Sequence, residues 1–515
     1  MFFYFFKKPE NLFFLKCRQI LIENRCYLLV MQRLEHISTI IADLGDIFTF
    51  IAPLAAVPII VAILFSEWNM ILPMASVPVV FIVLGMLFKK LPRTSRGVRL
   101  STAMCSVALF WLTCAMVSGI PFILGLHMGF TDAFFEGMAG WTGTAFSMIR
   151  SVDTAPHALL FWRSYMQWIG GIGIIAFMIA MASSTGLLGS KIFRTEGRDE
   201  SLMPSVIATG RALWKIYGLL TFFAIGLILF TGLSLWESVN LAFTAVSTGG
   251  FTLHEGGILY YNNLALQLLL IPIMIAGALP FKLYYLIVEN RRWSLFGDEQ
   301  VKLFFLFCGI GIAVITYDLV FFGNFEFMAA LEQGLFMTVS GLTTTGFQNA
   351  DIHSWAGITL FFLTLLTFIG GASGSSAGGI KLKRVALAFR TLFWWFRRLF
   401  VSGKVLLPFR IEGKTIPRAT AELEAAKNML IIILSVVTIF IATLFVMQFL
   451  VTTYPITDIA FEVVSAFSTC GINTGYVSPD MPIISKWIFI GVMWVGRLEV
   501  IPVVMLFMAL FRESD

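Results

Sequence analysis

Four short runs of hydroxyl-bearing residues and glycine interrupt an otherwise apolar chain. The clearest is SGLTTTGF at positions 340–347, which contains no charged side chain. When its Gly346 is aligned with Gly250 and Gly471, a hydroxyl stands three positions earlier in each run, at Thr343, Ser247 and Ser468. A further run upstream has Thr142 at that position, but it carries Ala145 where the others have the reference glycine.

The alignment extends well beyond these short runs. The next position is apolar in all four: Phe146, Phe251, Phe347 and Ile472. Thirteen positions before the reference the residue is acidic or polar: Asp132, Glu237, Gln333 and Asp458. Successive reference positions lie 105, 96 and 125 residues apart. Agreement in several columns indicates an internal fourfold repeat.

The composition indicates a membrane protein. Of the 515 residues, 58% are hydrophobic and only 13% are charged, whereas a soluble domain needs a far more polar exterior. Crossing a bilayer takes about 18 apolar residues or more, and long apolar runs stand at 48–65, 264–279, 429–451 and 487–508. We therefore predict an all-α polytopic membrane protein. The six cysteines form no CxxC pair, which favours buried free thiols.

Each hydroxyl run lies in a unit with the same order of elements. A span precedes a half-helix of 10 to 14 residues, the run follows, and a second span closes the unit. The half-helices are too short to cross a membrane and suit re-entrant segments. We predict an N-terminal extension at 1–40, two extra transmembrane helices at 41–98, and four repeats at 99–189, 205–292, 298–404 and 415–515.

The distribution of charge predicts the orientation. The connectors between units are basic, with Lys191, Arg194, Arg211 and the series from Lys381 to Arg418 among them. The loops around the half-helices are acidic instead. By the positive-inside tendency, the connectors and the N-terminus face the cytoplasm and the four loops open outward. The net charge of +6 is thus interpreted as topology and not as nucleic-acid binding.

Four such loops could coordinate a cation. Around one axis they would form a ring of backbone carbonyls at the negative ends of four helix dipoles, able to replace a hydration shell. Glycine lets the backbone turn its carbonyl inward. Alternatively, these glycines permit close helix packing. The predicted ion filter consists of Thr142, Gly143, Thr144, Ala145, Ser247, Thr248, Gly249, Gly250, Thr343, Thr344, Thr345, Gly346, Ser468, Thr469, Cys470 and Gly471.

A second interruption lies in the long span at 355–400. Its glycine and serine residues destabilise continuous helix. We predict a movable gate loop under the filter at 370–379, and a tolerated kink is the alternative. The predicted gate residues are Gly370, Gly371, Ser373, Gly374, Ser375, Gly378 and Gly379. Arg497 lies deep in an apolar segment, and because a buried charge in a membrane is costly and usually functional, we predict a functional role for it, with a snorkelling side chain as the alternative. Lys282 has no assigned role, since it could snorkel.

These residues resemble the Trk/Ktr/HKT superfamily of potassium transporters, most closely its TrkH-type membrane subunits. The resemblance covers nearly everything from about residue 40 onward. Besides the four loops it rests on three strings: HALLFWR…QWIGGIG at 157–173, GGASGSSAGGIK at 370–381, and GRLE at 496–499.

The resemblance implies channel-like, passive uptake of K⁺. Its ligands would be the carbonyls of Thr142, Gly143, Ser247, Thr248, Thr343, Thr344, Ser468 and Thr469. It further implies a homodimer in a prokaryotic plasma (inner) membrane, gated by a cytosolic TrkA-type nucleotide-binding ring. In the same way it implies that Arg497 lies below the filter, as an electrostatic barrier and a contact of the gate loop. No organic cofactor is expected.

Ala145 leaves Na⁺ or non-selective monovalent transport open, because the family's plant members with serine at this position prefer K⁺ less. A secondary transporter of an organic solute would instead show inverted halves with broken helices. An enzyme is not expected, because the spans lack clusters of acids or histidines.

Overall fold

The computed structural model describes residues 37–92, 100–182, 206–290, 295–355, 357–400, 409–411, 414–449 and 454–511. Most of the predicted N-terminal extension therefore lies outside the described residues, as do Cys17, Cys26 and the basic residues Lys191, Arg194 and Arg198. The described part is almost entirely helical. A short antiparallel hairpin, β1 (Phe409–Ile411) and β2 (Lys414–Ile416), is an addition to the all-α prediction.

Two long helices precede the first unit, as predicted: α1 (Ile37–Leu64) and α2 (Trp68–Lys89). The first unit contains α3 (Leu100–Ser118), α4 (Ile120–Leu126), the half-helix α5 (Phe130–Thr142) and α6 (His157–Ala182). The second contains α7 (Val206–Leu229), the half-helix α8 (Leu235–Val246), α9 (Leu264–Ala278) and α10 (Phe281–Asn290).

The last two units have the same order of elements. The third contains α11 (Glu299–Phe321), the half-helix α12 (Phe327–Leu342), α13 (Gly357–Ile369) and α14 (Leu382–Leu399). The fourth contains α15 (Arg418–Gln448), the half-helix α16 (Ile456–Phe467), α17 (Ile483–Arg497) and α18 (Ile501–Phe511). At 16 residues α12 is longer than the predicted 10 to 14, because it begins about one turn early.

Burial follows the pattern of a membrane protein. Among the described residues, six helices are long and apolar enough to cross a membrane, or up to eight if each bent pair is one span. Their outward faces carry large exposed apolar side chains such as Phe222, Phe230 and Phe440. The half-helices lie inside, and every residue of α5 from Ala133 to Thr142 is buried. Polar loops are thus enclosed by apolar helices, as a bilayer requires.

Two second spans are broken where the sequence predicted continuous helix. The α9–α10 pair bends by 92° and the α17–α18 pair by 109°. At the first break Leu279 is extended, because the residue before a proline is disfavoured in helix, and Pro280 follows. At the second, Glu499 and Val500 have φ of +58° and +68°, which an α-helix does not accommodate.

Candidate functional site

The four half-helices point their C-terminal ends at the predicted filter residues. In the last three runs the backbone has a common form. Thr248, Thr344 and Thr469 are left-handed with φ of +52°, +54° and +51°. Two residues further on, Gly250, Gly346 and Gly471 are also left-handed, with φ of +75°, +90° and +88°. A left-handed reference position suits glycine, which reaches positive φ at little cost.

The reference positions of all four runs meet at one centre. A Cβ on Gly346 would lie 2.8 Å from the Cβ of Ala145 and 3.0 Å from the carbonyl carbon of Cys470. A Cβ on Gly250 would lie 3.0 Å from the same Ala145 Cβ. On Gly471 it would lie 2.8 Å from the carbonyl carbon of Ala145. Residues from four distant parts of the chain are therefore in mutual contact, with no space for added side chains.

The first run departs from this form. Its left-handed residue is Gly143, with φ of +74°, whereas Ala145 does not adopt the positive φ of the other reference positions. The Ala145 amide instead donates a hydrogen bond of 3.1 Å to the carbonyl of Cys470 in the fourth run. One quadrant is thus built differently, because a β-carbon disfavours the left-handed backbone that glycine accepts.

Gln167, on α6, holds the first two runs together. Its side-chain amide donates to the carbonyls of Thr144 at 3.3 Å and Gly249 at 2.7 Å, while its oxygen accepts from the Phe251 amide at 3.1 Å. Across the centre, Gln348 and Asn473 exchange two hydrogen bonds of 3.0 and 3.1 Å that join the third and fourth loops. Sequence reasoning assigned no role to Gln167, although a polar residue in an apolar span was a usable signal.

Two buried carboxylates support the loops from behind. Glu136 accepts hydrogen bonds from the Met148 amide at 2.7 Å and from Nε of Arg163 at 2.7 Å, and Arg163 donates to the Thr252 carbonyl at 3.1 Å. Glu136 and Glu462 both stand nine positions before their reference residues.

Glu462 serves the fourth loop in the same way. Its carboxylate accepts from the amides of Thr474, Tyr476 and Val477 at 2.8 to 3.0 Å, and from the Thr474 hydroxyl at 2.6 Å. From the sequence, Glu462 was missed, and Glu136 was counted only among the acidic residues around the half-helices. The signal was an acidic residue at the same column of two apolar half-helices.

The predicted gate loop is non-helical and lies against the filter. Its Ala372 and Ser376 amides donate to Ala278 and Gly277 at the end of α9, at 2.9 and 3.2 Å. The Ser376 hydroxyl is 3.0 Å from the Val246 carbonyl. The Gly378 amide donates to the Thr344 hydroxyl at 2.7 Å. The loop thus bridges the helix break of the second unit and the filter of the third.

Three glycines of the predicted gate loop have a backbone that favours glycine, and a fourth is needed because of close packing. Gly370, Gly374 and Gly379 have φ of +70°, +81° and +77°. Gly378 does not have positive φ, but a Cβ there would lie 2.9 Å from the carbonyl carbon of Ser468 and closer still to its oxygen. Close approach to the filter is therefore what demands glycine at 378.

Arg497 contacts the gate loop, although its setting differs from the prediction. It is the last residue of α17 and not the middle of a continuous helix, so its cation lies at the negative end of the α17 dipole. Its guanidinium donates to the carbonyls of Ser376 at 3.2 Å and Gly170 at 2.7 Å. Glu499 is paired with Arg384 on α14. Arg497 and Glu499 line a cavity of about 30 Å³ together with loop residues from Gly374 to Gly379.

Near the starts of the half-helices, carboxylates of one unit pair with histidine or lysine side chains of another. Nδ1 of His353 lies 2.7 Å from Asp458, Nδ1 of His254 lies 2.7 Å from Asp153, and Nζ of Lys486 lies 2.5 Å from Asp132. Asp132 and Asp458, two of the acids that stand thirteen positions before the reference residues, therefore join neighbouring units.

In the second-unit loop, burial foremost raises the pKa of Tyr261 above its usual range, and nearby Glu237, Tyr260 and Asp153 add to the effect. Tyr261 is thus neutral.

Among the described residues no group of three or more His, Cys, Asp or Glu could hold a metal ion.

Several known proteins are similar to this chain in sequence. Residues 76–515 match the family described as TrkH, cation transport protein. The chain is 28% identical over 481 residues to an uncharacterised cation transporter of Methanocaldococcus jannaschii, covering 93% of this chain and 97% of that protein. It is 28% identical to the Trk system potassium uptake protein TrkH of Halomonas elongata, covering 88% and 95% of the two chains.

A solved structure shares the fold. The crystal structure of the potassium transporter TrkH from Vibrio parahaemolyticus superimposes with a TM-score of 0.78 at 23% identity, over 91% of this chain and 98% of that chain. The family match covers far more than half of the sequence. This chain is a multi-pass helical membrane protein that belongs to the TrkH family of cation transport proteins.

Proposed function

We propose that this protein takes up K⁺ by passive permeation through the centre formed by the four hydroxyl-glycine runs. The observation that carries the proposal is the meeting of Ala145, Gly250, Gly346 and Gly471 at the C-terminal ends of four half-helices. Helix C-termini concentrate partial negative charge. Backbone carbonyls in such a ring replace the hydration shell of a cation. The potassium uptake named for its TrkH relatives supports K⁺ as the transported ion.

The driving force needs no pump site. An inside-negative potential contributes about 2.3 kcal/mol per charge per 100 mV. The ligands in this proposal are the carbonyls of the two residues that begin each run: Thr142, Gly143, Ser247, Thr248, Thr343, Thr344, Ser468 and Thr469. The loops open to the cell exterior and the N-terminus faces the cytoplasm of a prokaryotic cell, bounded by its plasma (inner) membrane.

Residues 370–379 form the gate in this proposal, and Arg497 holds it shut. Support comes from the hydrogen bonds that Gly378 and Ser376 make to filter segments and from the contact of Arg497 with Ser376. A cytosolic nucleotide-binding ring moves the gate, and the working unit is a homodimer. These last two features follow from the family resemblance.

Transport of Na⁺, or of both ions, is the second candidate. It is favoured by one observation: Ala145 is not left-handed, and its amide occupies the Cys470 carbonyl. A quadrant that offers its oxygens differently changes the fit for a given ion. A secondary transporter of an organic solute is disfavoured, because it would show inverted halves, whereas this chain has four units with the same order of elements.

Tracer uptake into reconstituted vesicles tests the proposal. With an inside-negative potential, wild type should accumulate Rb⁺ and excess K⁺ should compete. Gly346→Ala should lose nearly all uptake, because a Cβ collides with Cys470 and Ala145 and is disfavoured at positive φ. Gly226→Ala, in open space on α7, is the matched control and should keep it. Full uptake by Gly346→Ala would refute the filter assignment.

A further inference from the structure

The position two residues before the reference is threonine in three of the four runs, and all three threonines face the gate loop. The Thr344 hydroxyl accepts the Gly378 amide at 2.7 Å. The Thr248 hydroxyl lies 3.3 Å from the Ser376 hydroxyl. A Cβ on Gly378 would collide with the Thr469 hydroxyl. All three threonines are buried.

Threonine is an unexpected residue at these positions. Each has a left-handed backbone, with φ of +52°, +54° and +51°, which β-branched residues rarely adopt and which stores strain. Glycine adopts the same backbone freely, as Gly143 does in the first run with φ of +74°. Three strained threonines where glycine would be easier indicate that the hydroxyl itself is needed.

The same hydroxyl oxygens are suited to bind a cation in place of the loop. A threonine oxygen has two lone pairs for one proton. The Gly378 amide directs its positive hydrogen at a lone pair of Thr344, where a cation would bind. The Ser468 carbonyl also lies against Gly378 and is a further uncharged oxygen where the loop meets the fourth run. Uncharged oxygens are ligands that can replace the water around an alkali cation.

We propose that Thr248, Thr344 and Thr469 form an inner cation site at the gate end of the filter, and that the gate loop occupies this site when closed. A partly dehydrated monovalent cation and the loop then exclude each other. The proposal rests on the proposed function, because it places the site on the permeation path. Cations entering the filter oppose loop closure, since a ligand that binds one of two states shifts their ratio.

Accessibility of the loop to a thiol reagent tests this competition without measuring transport. Ser375→Cys, in the cavity wall beside Arg497, is the probe, and Ala377→Cys is the second probe should the first not fold. Protein without the added cysteine corrects for native thiols. K⁺ is compared with the large cation N-methylglucamine in the solution on the filter side of the membrane. K⁺ should speed up modification by at least about threefold, because a cation that binds only when the loop has left the site shifts the population toward that state.

Removing one hydroxyl should abolish this effect. Thr344→Val keeps the branched shape but loses the oxygen, so modification should be faster without K⁺ and no longer respond to K⁺. Thr344→Ser keeps the oxygen and should retain the response. Thr438→Val, whose hydroxyl bonds only within its own helix at 2.7 Å, controls for loss of any threonine hydroxyl. A full K⁺ response in Thr344→Val would overturn the proposal.

Rb⁺ uptake by the same vesicles separates the two proposals. If the Ser375→Cys protein takes up Rb⁺ but its rate of thiol modification does not depend on K⁺, the inner site is refuted and the permeation function stands. Absence of uptake in every preparation, wild type included, would instead refute the permeation function.

Discussion

Replacement of Gly378 by alanine should open the gate. The position does not have positive φ, so its backbone accepts alanine, and the effect must come from space. The added carbon would lie 2.9 Å from the carbonyl carbon of Ser468, whereas carbon atoms rest about 3.5 to 4.0 Å apart. The loop would have to retreat from the filter by roughly 1 Å, the shortfall from that contact distance.

The energetic consequence follows from the contacts that this movement breaks. The hydrogen bond from Gly378 to Thr344, now 2.7 Å, would stretch beyond hydrogen-bonding range. Its loss costs about 0.5–1.5 kcal/mol, and residual overpacking adds about 1–3 kcal/mol. A total of about 1.5–4.5 kcal/mol lowers the ratio of closed to open loop by roughly 12- to 1,600-fold, at 1.4 kcal/mol per tenfold.

Rb⁺ uptake into vesicles without any cytosolic partner measures this change. Gly378→Ala should show basal uptake at least about tenfold above wild type, a conservative reading of that ratio. Gly491→Ala, in open space on α17, should match wild type and controls for the extra methyl group. Basal uptake at the wild-type level, or loss of uptake from a folded variant, would refute the interpretation of 370–379 as a closed gate.

Arg497→Gln should also raise basal Rb⁺ uptake, by roughly tenfold or more, because hydrogen bonds from a charged group are worth about 1.5–3 kcal/mol. Arg497→Lys should show intermediate uptake, since lysine lacks the planar guanidinium that donates to both Ser376 and Gly170. Equal uptake in all three proteins would contradict a gate contact. Glu136→Gln should lower the free energy of unfolding of the detergent-solubilised protein by about 3–5 kcal/mol, measured by thermal unfolding, because it leaves the buried Arg163 cation without its charged partner. Glu462→Gln should cost less, about 1–3 kcal/mol, since Glu462 accepts hydrogen bonds from neutral hydroxyl and amide donors; the reverse order would contradict this assignment.

The sequence predicted the elements whose signals are local. Apolar length identified the spans, and hydroxyl and glycine residues identified the four runs and the interruption at 370–379. The irregularity of the first run was also foreseeable, because Ala145 carries the β-carbon that disfavours positive φ. The hydrogen bond that the Ala145 amide donates to the Cys470 carbonyl was not predictable, because the two residues are 325 positions apart.

The helix breaks show where local reading fails. Pro280 was a usable signal for the first break. The second was hidden, because Val500 is a β-branched residue that rarely adopts the left-handed backbone found there. Tertiary contacts impose that conformation, among them the pair between Glu499 and Arg384 on another unit. Arg497 consequently ends a helix, where the sequence predicted it inside one.

The ratio of K⁺ to Na⁺ permeability, taken from reversal potentials, tests most directly whether the four runs form the ion filter. Ala145→Gly removes the Cβ that contacts Gly250 and Gly346 and permits the left-handed backbone of the other three quadrants. The expected result is a higher ratio for Ala145→Gly than for wild type, with Gly491→Ala unchanged. An identical ratio in all three proteins, with ion conduction intact, would contradict a filter at this centre.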